Sequence, residues 1–389
     1  MDLAALRIAL FSGNYNYVRD GANQALNRLV EYLLRQGAAV RVYSPKVEPP
    51  AFAPAGDLVG LPNVAIPGRG EYRLPLGLSA EVKRDLAAFA PQIVHVSSPD
   101  PAGHAAVKWA RDRSLPVLAS VHTRFETYFR YYRAGFLEPA AVALLRRFYR
   151  RCDALLAPSE SMAQVLREQR MNSDISIWSR GVDRAVFNPA RRSLEWRRSL
   201  GIADDEVAIG FLGRLVMEKG LDVFVGALAE LRARGVDHRA LVIGEGPAGA
   251  WFAERLPPAG EPGGAAFAGF QAGEALGRAV AGMDVLLNPS VTETFGNVTL
   301  EAMACAVPVV AARATGASSL VADGTTGRLI EPGETRAFAD ALAAYVVDPA
   351  LRAEHGAAGE AASRAYSWDA INAAVAEAYL RLVAARRSA

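Results

Sequence analysis

Short apolar runs of β character alternate with helical stretches along this chain, and they do so in two series. The first holds "RIALFS", "AAVRVYSP", "QIVHVSS", "LPVLASVH", "ALLAPS" and "ISIWSRGVD". The second holds "VAIGFLGRL", "RALVIGEGP", "GAAFAGF", "MDVLLNPS", "VPVVAA" and "GRLIEPG". Between the first two runs lies "ANQALNRLVEYLLRQG", where Leu26, Leu29, Val30, Leu33 and Leu34 form one stripe and Gly37 supplies a C-terminal stop. Runs of four to eight apolar residues separated by helices are strands buried on both faces, so each series predicts a parallel sheet covered by helices. The expected class is α/β, with an N-terminal domain over 1–185 and a second domain over 206–369. The polar stretch 186–205 is expected to connect them, and a final helix over 370–389 to pack back on the first domain. A chain of 389 residues has the material for two such cores. Ligands of open parallel sheets bind beyond the carboxyl ends of the strands, so a cleft between two facing halves is the expected site.

Charge and cysteine content narrow the class further. A net charge of +2 argues against a general nucleic-acid binder. The charge is uneven: residues 121–200 hold 15 Arg, no Lys and 8 acidic residues, a local basic excess that favours phosphates or an anionic lipid surface. Cys152 and Cys305 make no disulfide framework, and no Cys/His cluster has zinc spacing. The N-terminal apolar stretch reads as a strand rather than a leader, and no apolar run reaches 18 residues. The expectation is a cytoplasmic protein, soluble or peripheral on the inner face of the membrane.

Three short stretches carry chemistry. "VIGEGPAG" places Gly244, Gly246 and Gly249 in the spacing of a dinucleotide loop. Pro247 removes one of the amides such a loop offers, and no acidic residue closes a following strand. A tight turn lining a nucleotide pocket is the preferred reading. In "FLGRLVMEKGLDVF", Arg214 and Lys219 follow a strand and flank a helix start, which suits a diphosphate; a charged surface loop has the same appearance. In "TETFGNVTLEAMA", Glu293 and Glu301 bracket Gly296, where a helix is expected to begin with its free amides facing the ligand. Two carboxylates there suit sugar and ribose hydroxyls beside a phosphate, although a hydrolytic acid/base pair or a solvated helix face would also use them.

Taken in order, "GRLVMEKG", "GEGP", the Glu293 to Glu301 spacing, "EAMA", "VPVVA" and "DGTTGRLIEPG" resemble the retaining glycosyltransferases of family 4, which have the GT-B fold of two Rossmann-like domains facing a central cleft. The resemblance covers nearly the whole chain. It implies that Arg214 and Lys219 hold the donor diphosphate, Glu293 the donor-sugar hydroxyls and Glu301 the ribose. The amides at Gly296, Asn297 and Val298 would meet the sugar phosphate, and the turn at Gly246 the base. In the first half, Gly13 and Gly21 would lie near the phosphates, and His122 in "SVHTRF" near the donor sugar. "RGVDRAVFNP" departs from the family's usual Asn-Gly-Val-Asp by Arg180, "DGA" around Gly21 departs from a glycine pair, and Ala306 stands where glycine is frequent.

The implied reaction moves a sugar from a nucleotide-diphosphate sugar, UDP favoured, to a hydroxyl, with no cofactor. No Asp-x-Asp sequence is present, and no metal is expected. The aromatics between Phe125 and Phe136, interleaved with Arg124, Arg130 and Arg133 and followed by Arg146, Arg147, Arg150 and Arg151, suit an anionic membrane surface. They resemble the same region of lipid-glycosylating members such as sulfoquinovosyl-diacylglycerol synthases and mannosyl-lipid transferases. The expected acceptor is a membrane lipid such as diacylglycerol or ceramide. A soluble or polysaccharide-precursor acceptor is the alternative, and a sugar-nucleotide epimerase or an NAD-dependent oxidoreductase is the alternative from another class.

Overall fold

The computed structural model describes residues 2–18, 21–66, 69–122, 135–314 and 316–388. The chain divides into two compact units, Met1–Arg180 with Trp368–Ala389, and Gly181–Ser367. Each is a parallel sheet with helices on both faces, so the α/β class is observed.

The first unit contains β1 (Arg7–Phe11), β2 (Ala39–Ser44), β3 (Asp57–Gly60), β4 (Asn63–Ile66), β5 (Arg69–Pro75), β6 (Ile93–Val96), β7 (Val117–Ser120), β8 (Ala154–Ala157) and β9 (Ile175–Ile177). Its sheet runs in the order β3-β2-β1-β6-β7-β8-β9, with β4 and β5 forming a separate antiparallel pair. β1, β6, β7 and β8 are the continuous apolar runs, and all but Arg7 at the start of β1 is buried. Apolar layers lie on both sides of them. One contains Val94, Val107, Phe148 and Leu155. The other contains Leu10, Leu29, Leu156 and, from the C-terminal helix Trp368–Ser388, Val375, Tyr379 and Val383. The half-exposed β3 to β5 lack continuous apolar runs, which is why the sequence pattern passes over them.

The second unit contains β10 (Ala208–Leu212), β11 (Arg239–Ile243), β12 (Ala265–Gly269), β13 (Val285–Asn288), β14 (Val309–Ala312) and β15 (Gly327–Ile330). The order is β12-β11-β10-β13-β14-β15, all parallel. Residues 186–205, expected as a connection, are part of this unit and carry the helix Leu194–Ser199. The reason is electrostatic. Fully buried Arg197 donates to Asp284 Oδ2 at 2.8 Å and to Gly282 O at 2.7 Å, while Arg192 donates to Asp284 Oδ1 at 2.7 Å. A buried guanidinium needs such partners to offset its desolvation.

In each sheet the connections reverse direction at one point: between β1 and β6, and between β10 and β13. The crevice at the carboxyl end of such a switch point is where this architecture presents loops to a ligand.

Candidate active site

In the second unit, both loops at the switch point carry residues singled out in the sequence. After β10 the chain turns through Gly213 to Arg214, which is exposed, and then through a single 3-10 turn, Met217–Lys219, to Gly220. Gly220 has φ +75°, and a Cβ there would stand 3.0 Å from Pro289, so glycine is required on both counts. Next to this loop lies Gly244-Glu245-Gly246. A Cβ on Gly244 would be 2.0 Å from Gly213 O, and one on Gly246 2.4 Å from Leu215 O. Backbone bonds from Gly213 N to Ile243 O and from Leu215 N to Glu245 O lace the two loops at 3.0 Å each. Close backbone approach therefore explains Gly244 and Gly246 without a dinucleotide.

After β13, Asn288 fixes the second loop: its amide donates to Thr299 Oγ1 at 3.1 Å and its carbonyl accepts from Ser290 N at 3.3 Å. Thr292 Oγ1 reaches Glu218 O at 3.5 Å, which ties this loop to the 3-10 turn. The result is an ion pair, Lys219 Nζ to Glu293 Oε1, at 3.0 Å. Gly296 follows at φ +94° and caps the helix Asn297–Ala304. A Cβ on Gly296 would be 3.3 Å from Glu293 Oε2, so the bare glycine leaves the carboxylate beside the first turn of the helix. Glu301 lies in the second turn of the same helix, where burial first, and then the Glu293 carboxylate, push its pKa up to about 8. Both causes favour the protonated form of its carboxyl group. Asn297 Oδ1, in the first turn, is buried with no hydrogen-bond partner among the described residues, and Val298 is half-buried beside it.

Gly316 escaped the sequence reading. A Cβ there would meet Glu293 Cβ, Glu293 O and Phe295 C, each at 3.0 Å. Its only sequence signal is a small residue in "RATGASS", and its role appears only once two loops 20 residues apart are brought together.

In the first unit, Gly13 lies two residues past β1, and a Cβ on it would be 2.8 Å from Asp100 Oδ2. Asp100 caps the helix Pro101–Arg111 by accepting from Gly103 N at 2.8 Å. Gly21 opens the helix Gly21–Arg35. His122, just past β7, is set in a line of polar groups. Its Nδ1 lies 2.9 Å from Arg180 Nη2 and its Nε2 lies 2.8 Å from Ser120 Oγ. Ser120 Oγ is 2.9 Å from His95 Nε2, and His95 Nδ1 is 2.6 Å from Tyr379 OH on the C-terminal helix. Arginine can only donate, so His122 Nδ1 accepts and Nε2 carries the proton. Burial, then Arg180, then His95 hold the His122 pKa well below the usual histidine value. The imidazole is neutral and locked in one tautomer. Arg180 itself lies over the Trp178 ring, 5.0 Å from its centroid. His122 and Arg180 stand out in the sequence, whereas Ser120, His95 and Tyr379 carry no local signal there.

The expected lipid-facing segment 124–151 falls partly on residues 123–134, which lie outside the described residues. Of the remainder, Phe136 and Leu144 on and before the helix Glu138–Tyr149 are 79% and 68% exposed. Among the described residues no helix is long and apolar enough to cross a membrane, and no three His, Cys, Asp or Glu side chains are grouped to hold a metal ion.

Comparison with known proteins decides the family. The profile of Glycosyltransferase Family 4 matches residues 19–186, and that of Glycosyl transferases group 1 matches residues 206–348. A sulfoquinovosyl transferase of Arabidopsis thaliana is 30% identical over 94% of this chain and 71% of its own length. The chain belongs to glycosyltransferase family 4. A GDP-mannose-dependent α-mannosyltransferase of Corynebacterium glutamicum is 28% identical over 97% of this family 4 chain and 90% of its own. The solved sucrose-phosphate synthase of Thermosynechococcus elongatus superposes with a TM-score of 0.78 over 98% of this chain and 100% of that one, at 21% identity. That likeness shows the GT-B fold. The family 4 chain is thus an enzyme, a hexosyltransferase of the retaining GT-B class. The epimerase alternative has no support among the relatives, and Gly244 and Gly246, which suggested NAD, are accounted for by loop packing.

Proposed function

We propose that the second unit binds a nucleotide-diphosphate sugar at the β10/β13 switch point and that the enzyme transfers the sugar, with retention, to a hydroxyl on a membrane lipid. The observation that carries this reading is the cluster of Lys219, Glu293 and Gly296 on two adjoining strand-end loops with Glu301 on the helix that follows the second. In the reaction the bond from the anomeric carbon to the β-phosphate oxygen breaks. The acceptor oxygen bonds to the same face of the sugar, and the acceptor proton passes to the departing phosphate. Arg214, Lys219 and the free amides at Gly296, Asn297 and Val298 neutralise the charge that grows on the leaving diphosphate.

The carboxyls take the hydroxyls. Glu293 accepts from the donor sugar, and Asn297 Oδ1 gains the hydrogen bond it lacks. Glu301, protonated, donates one hydrogen bond and accepts another, which matches the two neighbouring hydroxyls of a ribose better than a bare anion would. Binding of the diphosphate draws Lys219 from Glu293, exchanging one anion for another. Gly246, in the loop laced to that of Arg214, lines the base side. For the base, GDP-mannose stands beside the UDP-sugars that the sequence favours, because the Corynebacterium relative is named for it. A lipid acceptor is supported by the exposed Phe136 and Leu144. The proposed location is peripheral, on the cytoplasmic face of the membrane.

The experiment is a donor screen followed by turnover. UDP- and GDP-sugars are ranked by the rise in melting temperature they cause, since a ligand that binds only the folded state stabilises it. Turnover with the best donor is then measured for Lys219→Ala and Arg214→Ala, and for the wild type with EDTA. Each substitution should lower kcat about 100- to 1000-fold, and EDTA should leave it unchanged. Full activity in Lys219→Ala, or a strict need for a divalent ion, would remove this reading.

A further inference from the structure

Among the described arginines of residues 121–200, two sets differ in their partners. Arg167, Arg184, Arg191, Arg192, Arg197 and Arg198 each pair with a carboxylate. Arg150 and Arg170 pair with none among the described residues; they line a cavity of about 680 Å³ in the first unit together with Arg111, Arg167, Asp153 and Asn172. That volume is in the range of small-molecule sites.

Two of these guanidiniums are anchored with donors to spare. Arg111 Nη1 donates to Arg151 O at 2.8 Å, and Arg150 Nε donates to Arg170 O at 3.2 Å. Each such contact spends one of five N–H donors and fixes the plane of the fork. The lining carboxylate is already committed: Asp153 Oδ2 accepts from Val117 N at 2.7 Å, and Oδ1 from Arg386 Nη2 at 3.2 Å. Arg167 shares its charge with exposed Glu160. Three of the four arginines lining the cavity, Arg111, Arg150 and Arg170, therefore have no carboxylate partner among the described residues, and their rigid forks match phosphate geometry.

Its place in the fold separates it from the active site. Arg111 precedes β7, Asp153 immediately precedes β8 and Asn172 precedes β9. The cavity is thus at the amino ends of these parallel strands, whereas His122 follows the carboxyl end of β7. A four-residue strand spans roughly 13 Å.

We propose that this cavity is a second anion site, which takes a phosphomonoester or diphosphate group. The group could be carried by a soluble phosphorylated metabolite or by a lipid headgroup. The site does not depend on the donor reading, because Lys219 and Arg214 take no part in it.

The test titrates sodium pyrophosphate into the full chain carrying Lys219→Ala, which disables the proposed donor site, and into the same chain with Arg111→Gln and Arg150→Gln added. Calorimetry should show binding in the first and at least a tenfold loss in the second. Arg170→Asn, which tolerates the left-handed backbone at that position (φ +53°) and leaves both anchors in place, should weaken binding several-fold without lowering the melting temperature of the free protein. A second arm compares flotation on phosphatidylcholine vesicles containing phosphatidic acid, a phosphomonoester, with vesicles containing phosphatidylglycerol, a diester. A preference for phosphatidic acid that the arginine substitutions abolish assigns the ligand to the bilayer. Pyrophosphate binding without that preference assigns it to a soluble metabolite. Pyrophosphate affinity and vesicle preference that are both unchanged, within about twofold, by all three arginine substitutions would overturn the proposal. Loss of donor binding in Lys219→Ala would leave it standing.

Discussion

The surroundings of Glu301 favour its protonated form, and the consequence can be read in stability as well as in binding. Its ordinary value is 4.5, and burial beside Glu293 pushes it to about 8. Between those values the unfolded chain has lost the proton and the folded chain keeps it. The folded state then binds more protons than the unfolded one, so stability must fall as pH rises through this window. The slope from this one group is at most about 1.4 kcal/mol per pH unit. Urea denaturation at intervals from pH 5 to pH 8 should show that decline in the wild type and a flatter profile in Glu301→Gln, where the amide stands in for the protonated acid. Equal slopes in the two proteins would mean that Glu301 is ionised. None of this could be read from the sequence, which fixes the eight-residue spacing of Glu293 and Glu301 but not the solvent that each loses. The same holds for His122. Its place after a strand is legible in "SVHTRF", whereas its neutral tautomer depends on Arg180, 58 residues away, and on a hydrogen-bonded line ending at Tyr379, 284 residues from His95.

Individual elements show where local rules settle the structure and where they are strained. The helix Asn297–Ala304 closes with Ala306 N donating to Met303 O and Val307 N donating to Ala302 O, each at 3.0 Å. This pair of bonds requires a left-handed residue at the Ala306 position, and the position is normally glycine. Ala306 adopts φ +57°, a conformation that costs an L-residue roughly 1 kcal/mol or more. Ala306→Gly should therefore raise stability by about 0.5 kcal/mol, the strain relief being partly offset by the greater freedom of glycine in the unfolded chain. A fall in the denaturation midpoint at constant m-value would show that the alanine methyl makes packing contacts worth more than the strain. The strands at the two switch points were legible because they are continuous apolar runs bounded by glycine or proline. Arg214, Lys219, Gly246 and Glu293 were legible for the related reason that they stand in the loops these strands feed. The segment 186–205 has the look of a connection because a polar, arginine-rich stretch reads as solvated in sequence. Burial of Arg197 against Asp284, 87 residues on, is visible only in three dimensions.

At the scale of the whole molecule, a net charge of +2 conceals a directed distribution. Ion pairs within the second unit neutralise Arg184, Arg191, Arg192, Arg197 and Arg198 locally. Arg146, Arg147, Arg150 and Arg151 on and after the helix Glu138–Tyr149 have no such partners among the described residues, so this stretch carries a local positive excess. The same helix and its approach expose Phe136, Leu137 and Leu144. Exposed apolar groups beside unpaired arginines are what a protein needs to lie on an anionic bilayer: the side chains enter the headgroup boundary and the guanidiniums stay at the phosphates. Flotation on phosphatidylglycerol vesicles should accordingly be strong at low salt. It should weaken as ionic strength rises and the screening length shortens from ~30 Å at 0.01 M to ~3 Å at 1 M. Replacing Leu144 by Ser removes apolar burial worth about 1.5 kcal/mol and should weaken vesicle binding roughly tenfold. Turnover on a water-soluble acceptor analogue should be untouched by the same change, because the side chain acts on the location of the enzyme and not on the donor. Binding absent at low salt would remove the membrane from the reading and leave a soluble hydroxyl acceptor, with the donor chemistry at Lys219 and Glu293 unaffected.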